Sequence, residues 1–238
     1  MIYTVAAVAA LAAGVVQGVT GFGAGIVLMM VLPFYFALPQ SAGIAAAVCI
    51  ILCVLMAARY REYVKWHEAI LPSVLYIAVC TATIHFAVSA NQDLLKKFFG
   101  VFLLLLAAYY LFFKKSADNK KLSLPVSLVC IIISAVCDGL FGIGGPLMVI
   151  YFLNKTESPQ EYLGTLQVFF LINSVYNTAF RFYEGILSAE HFSCIGAGII
   201  GITAGVFVAG KVVDKLNADA IRKLTYAMIG VSGVVNLI

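Results

Sequence analysis

Apolar runs of eight to twenty residues follow one another along almost the whole chain, at 2–19, 22–36, 40–58, 69–88, 97–113, 124–141, 146–153, 161–180, 192–210 and 220–238. Short polar connectors separate them at 59–68, 89–96, 114–121, 154–160, 181–191 and 211–219. A helix needs about twenty residues to cross the hydrocarbon of a bilayer, so the longer runs read as transmembrane helices. The runs 22–36 and 146–153 are short for a crossing. Each opens at a cluster of glycines, Gly18, Gly21, Gly23 and Gly25 in one case and Gly139, Gly142, Gly144 and Gly145 with Pro146 in the other. Glycine and proline weaken a helix and free backbone N–H and C=O groups that lipid cannot satisfy. Broken backbone at membrane depth survives only inside protein or beside a wet cavity, which makes both clusters candidate binding sites.

The two clusters are copies. Gln17, Gly18, Gly21 and Gly23 align with Asp138, Gly139, Gly142 and Gly144. Further on, Arg59 and Glu62 align with Arg181 and Glu184, and the stretch from Asn91 to Lys97 aligns with that from Asn217 to Lys223. Three matches in the same order make an internal duplication. It divides the chain into a first membrane repeat at 1–113, a basic cytoplasmic linker at 114–123 and a second membrane repeat at 124–238.

Loop charge decides how the repeats thread the membrane. If 2–36 crossed once as a kinked helix, seven Lys and Arg would lie on one side and eight on the other, with no positive-inside bias. If each glycine cluster is instead the tip of a re-entrant hairpin, only Lys96, Lys97 and Arg181 lie on one side and the remaining twelve on the other. The expected fold is therefore an all-α integral membrane protein of two inverted repeats. Each repeat is a glycine-broken re-entrant hairpin followed by three transmembrane helices, with both termini outside. The run at 2–19 is longer than a half-membrane arm requires and would have to tilt or project.

Composition fits this reading. The chain is 63% hydrophobic and 11% charged, and its mean hydropathy is +1.04, values of a multi-pass membrane protein. The net charge of +4 sits in the loops, so it reports topology and not a nucleic-acid partner. All six cysteines lie in apolar runs with no CxxC pair and read as small buried hydrophobes. No metal or other cofactor is implied. The amino terminus has no Lys or Arg before its apolar run and no small-residue cleavage pattern, so it does not read as a removable signal peptide.

At its two glycine motifs the chain resembles the sulfite exporter TauE/SafE family, the four-toluene-sulfonate uptake permeases. These carry G-x-x-G-x-G-G once in each half. The second copy here, from Gly139 to Gly145, fits fully; the first, from Gly18 to Ala24, departs at its last position. The resemblance covers nearly the whole chain. It implies a secondary transporter of small sulfur-containing anions, sulfite or sulfonates such as sulfoacetate, working by alternating access in the cytoplasmic (cell inner) membrane. A passive anion channel, from paired half-helices, and a carboxylate permease are the alternatives. Enzyme chemistry has thin support, because Asp138 is the only acid deep in a span. The expected partners are a small anionic substrate and the lipid bilayer, with no nucleic acid; a homo-oligomer is left open.

The residues allow an anion site without a full positive charge. A helix restarted after Gly21, Phe22 and Gly23, or after Gly142, Ile143, Gly144 and Gly145, presents free N–H groups and the positive end of its dipole. Gln17 and Thr20 flank the first break. The alternative is that small residues only let helices pack closely, as at Gly14/Gly18, Gly21/Gly25 and Gly201/Gly205. Gln167, Asn173 and Asn177 in the run 161–180 could donate to sulfonate oxygens or join helices by hydrogen bonds. Asp138 is a proton-coupling candidate or a helix cap, and His85 a proton relay or a neutral core histidine. Arg59 and Arg181 end equivalent segments and are expected at the entrances, as anion attractors or as interface anchors paired with Glu62 and Glu184.

Overall fold

The computed structural model describes residues 2–112 and 123–212, and there each apolar run of seventeen residues or more becomes one helix. The helices are α1 (Ile2–Thr20), α2 (Ala24–Met29), α3 (Leu38–Arg59), α4 (Trp66–Ser89), α5 (Gln92–Phe112), α6 (Leu124–Phe141), α7 (Gly145–Lys155), α8 (Pro159–Tyr183) and α9 (Phe192–Val212). Among the described residues no strand occurs. Most of the basic linker, with Lys114, Lys115, Lys120 and Lys121, and the closing run 220–238 with its Asn217 match lie outside the described residues.

Among the described residues five helices are long and apolar enough to cross a membrane: α1, α3, α4, α6 and α9 together with the turn before it. At 25 residues α8 is longer than any of them but more polar. Its polar side chains Thr165, Gln167, Asn173, Asn177 and Arg181 are turned inward and buried, so its polarity is hidden from lipid. Ser158 starts this helix by accepting a hydrogen bond from the Glu161 N–H at 3.2 Å, with Pro159 in the first turn. Gly185 at φ 69° ends it.

The runs with glycine clusters break where expected. The chain does not run on in the same direction after either break. Gly144 stands against Ser134 and Asp138 of α6, residues it could not reach if the helix continued. The Ala24 N–H likewise returns to the Gln17 side chain. The arms leading to the breaks, at 19 and 18 residues, are as long as a full crossing, about 27 Å or more.

Helices from the two halves are paired crosswise. α1 lies parallel to α9, with Gly14 against Gly205 and Gly18 against Ala209. Its counterpart α6 lies parallel to α4, with Gly139 against Thr83 and Tyr76 bonded to the Ser134 carbonyl. A Cβ at Gly14 would come within 3.1 Å of the Gly205 Cα, so the α1–α9 contact is backbone on backbone. Here the packing role of Gly14/Gly18 and Gly201/Gly205 holds. At the centre α3 and α8 run antiparallel, Gly43 opposite Arg181 and Gly164 opposite Tyr60.

Candidate functional site

The first break is made by Gly21 and Gly23, whose φ values of 82° and 105° lie in the left-handed region that only glycine enters at little cost. Neutral amides close the gap. Gln17 Oε1 accepts from the Ala24 N–H at 3.0 Å, and Gln17 Nε2 donates to Gln167 Oε1 at 3.0 Å. Gln167 Nε2 in turn donates to the Gly21 carbonyl at 2.6 Å. One glutamine therefore satisfies an orphan donor of the restarted helix and the other an orphan acceptor of the interrupted one. Thr20 turns back on the break, its one hydroxyl hydrogen shared between the carbonyls of Val16 at 2.8 Å and Phe22 at 2.7 Å.

The second break starts at Gly142, φ 64°, whose N–H bonds the Asp138 carbonyl. Ser134 donates its hydroxyl to the Gly144 carbonyl. Asp138 faces α4 and α8. Its Oδ2 accepts from Asn177 Nδ2 at 2.7 Å, and the Cys80 thiol lies 3.9 Å from that oxygen and 3.3 Å from Asn177 Oδ1. Beside it Arg181, only 1% exposed, donates from Nη1 to the Pro39 carbonyl and from Nη2 to the Gly139 carbonyl, each at 3.0 Å. A weaker contact at 3.5 Å reaches the Asp138 carbonyl. Its Nε is buried with no hydrogen-bond partner. Asn173 donates to Ser73 and to the Phe169 carbonyl, and its Oδ1 is also buried and unpartnered.

The two breaks meet. A Cβ on Gly25 would lie 3.0 Å from the Gly142 carbonyl, and one on Gly145 would lie 3.8 Å from the Phe22 ring. Between them is a cavity of about 80 Å³, room for a few water-sized molecules. Gln17, Gly23, Asp138, Gly142, Ile143, Gly144 and Gly145 border it. Its two long walls are α3 and α8, which contribute residues at one common spacing, i, i+3, i+4, i+7 and i+11. On α3 these are Ala42, Ala45, Ala46, Cys49 and Cys53. On α8 they are Phe170, Asn173, Ser174, Asn177 and Arg181. One wall is small and apolar, the other polar and cationic.

Thr20, Gly21, Phe22 and Gln167 do not border the cavity but hold the first break behind it. Two positions fall elsewhere than expected. Arg181 is not at an entrance beside Glu184; the last turn of α8 tucks under the start of α3 and carries the guanidinium inside. Arg59, its counterpart, is exposed. His85 is neither in the core nor near Asp138: its side chain is 75% exposed and lies 3.4 Å from Glu184. The sequence reading had no signal for Tyr76, which borders the cavity from α4, nor for the apolar wall of α3. Ser174 was within reach, since it shares the Asn173–Asn177 face.

Long apolar helices around a polar cavity, two of them interrupted at it, define an integral membrane protein. The sequence model of the sulfite exporter TauE/SafE family matches residues 6–235, nearly the whole chain, and the protein belongs to that family of membrane transporters. No curated protein and no solved structure matches the chain.

Proposed function

We propose that the protein is a secondary transporter of small sulfur-containing anions, working by alternating access around the cavity between the two breaks. The observation that carries the reading is the composition of that cavity. A buried guanidinium with a free Nε, the amide of Asn177 and glycine backbone from both halves converge on one small space. A fixed cation with neutral donors suits a tetrahedral oxyanion. Glycines at the rim let backbone N–H groups approach a ligand closely.

The threading is that of inverted repeats with re-entrant hairpins, which leaves both termini outside a cytoplasmic membrane. Support comes from the helix directions. The equivalent helices α3 and α8 run antiparallel, and the pairing of α1 with α9 mirrors that of α6 with α4. The reversal of the chain at Gly144 supports the hairpins. The loop charge, three against twelve, supports the orientation.

Reconstituted vesicles test the function. Sulfite or methanesulfonate flux should saturate and should be driven uphill by an imposed gradient. Flux that grows linearly with concentration and never accumulates would make the protein a channel. Thermal stabilisation of the purified protein by sulfonates but not by simple carboxylates separates the sulfur-anion reading from a carboxylate permease.

A further inference from the structure

Two ionisable charges border the cavity among the described residues, Asp138 and Arg181. The remaining titratable groups there, Tyr76, Cys49 and Cys53, belong to types that are neutral near pH 7. Asp138 is met by Tyr76 and Cys80 from α4, by Asn177 and Arg181 from α8 and by Cys49 from α3, with Cys137 next to it on α6. Arg181 is the one cation among them. Its two terminal nitrogens are tied to the carbonyls of Pro39, Gly139 and Asp138 and not to the Asp138 carboxylate, and its Nε has no partner. The guanidinium is thus fixed in place by neutral groups, and its charge is not cancelled by contact with the acid.

Charge counting then limits what the cavity can hold. With Asp138 ionised the empty site is neutral. A monoanion added to it would leave one net negative charge in a space of about 80 Å³, where like charges repel strongly. One proton on Asp138 removes that charge, leaving the guanidinium and the anion as a balanced pair. A dianion would leave the site negative even then. Resting on the transport function proposed above, we infer that the cavity binds its anion together with one proton, Arg181 serving as the counter-charge and Asp138 as the proton's seat, and that it selects monoanions. The proton comes from solution on the loading side and leaves with the anion on the other, so the site returns to neutrality at each end of the cycle.

Methanesulfonate, a permanent monoanion, is the probe, used with the purified full chain between about pH 5 and about pH 9. Its Kd should rise about tenfold per pH unit above the pKa of the site, the slope of one linked proton. Calorimetry in two buffers of different ionisation heat should count one proton taken up per anion bound in that range. Asp138→Asn should bind methanesulfonate with a Kd that does not change with pH. Sulfate, of similar size but doubly charged, should bind at least about tenfold more weakly. A wild-type Kd that stays flat across the range, a slope retained in Asp138→Asn, or sulfate bound as tightly as methanesulfonate at neutral pH would overturn the inference. Should Asp138→Asn not fold, the wild-type proton count and the sulfate comparison still decide. A pH-independent Kd leaves the transport function standing, whereas a wild type that binds neither anion at any pH removes both.

Discussion

The first glycine break is closed by amides and the second by charge. At the first, Gln17 and Gln167 bond each other and the two loose helix ends, and every group involved is neutral. At the second, the position equivalent to Gln17 is Asp138, and a buried arginine takes the Pro39 and Gly139 carbonyls. The backbone device is the same in both, a left-handed glycine that turns the chain back. The difference lies in what the device carries. One copy holds the cavity's shape, and the other supplies its electrostatics. The long walls divide in the same way: α3 offers alanines and cysteines where α8, at the same spacing, offers asparagines and an arginine. A duplicated scaffold can carry its buried charges in one half alone.

The equivalent arginines give the widest contrast. Arg181→Met removes the cavity's cation and leaves the Pro39 and Gly139 carbonyls without their donors. It should lower stability by about 3 kcal/mol and abolish sulfonate binding, read by thermal unfolding and calorimetry. Arg59→Met, on an exposed side chain, should change stability by no more than about 0.5 kcal/mol. Equal effects would refute the division of labour between the halves. Neighbouring glycines come next. A methyl at Gly144 would press on the Tyr76 hydroxyl and lie 2.9 Å from Asp138 Cβ, so Gly144→Ala should cost about 1–3 kcal/mol. At Gly145 the nearest atom would be 3.7 Å away. Gly145→Ala should therefore fold normally and weaken methanesulfonate binding by narrowing the cavity.

Gln17→Ala should cost about 1–2 kcal/mol in unfolding measurements, because it orphans the Ala24 N–H and half of the Gln167 amide. Unlike a change at Asp138, it should leave the pH dependence of binding as in the wild type. The smallest effect belongs to His85→Ala. Its contact with Glu184 is a surface pair, worth less than about 0.5 kcal/mol, and vesicle transport should be unaffected. A large loss of flux would restore His85 as a proton relay.

Much of this was legible in the sequence because lipid imposes simple rules. Run length marked the helices: α6 begins and ends at the expected residues, and α1 and α9 differ from expectation only at their C-terminal ends. The glycine clusters marked the breaks, since few other residues can take φ values like those of Gly21 and Gly142. Arg181 was misplaced for an equally physical reason. It stands at the edge of its apolar run beside a polar connector, which is how an interface anchor reads, and Glu184 offered a plausible partner. What brings it inside is the antiparallel crossing of α3 over the last turn of α8, a tertiary contact between residues 142 positions apart. His85 erred the other way. It sits within an apolar run, but on an exposed face of its helix, which no run length reveals.

The glycine seam between α1 and α9 also limits which parts of the protein could move as one body. Any rocking that parted the chain at its linker would have to peel Gly14 off Gly205 and Gly18 off Ala209, where main chains touch. Under the alternating access proposed above, the bodies that slide past one another would therefore be mixed ones, α1 with α9 and α6 with α4, each drawing a member from either half. A covalent tie between α1 and α9 should leave substrate flux running, and a stalled carrier would refute that partition.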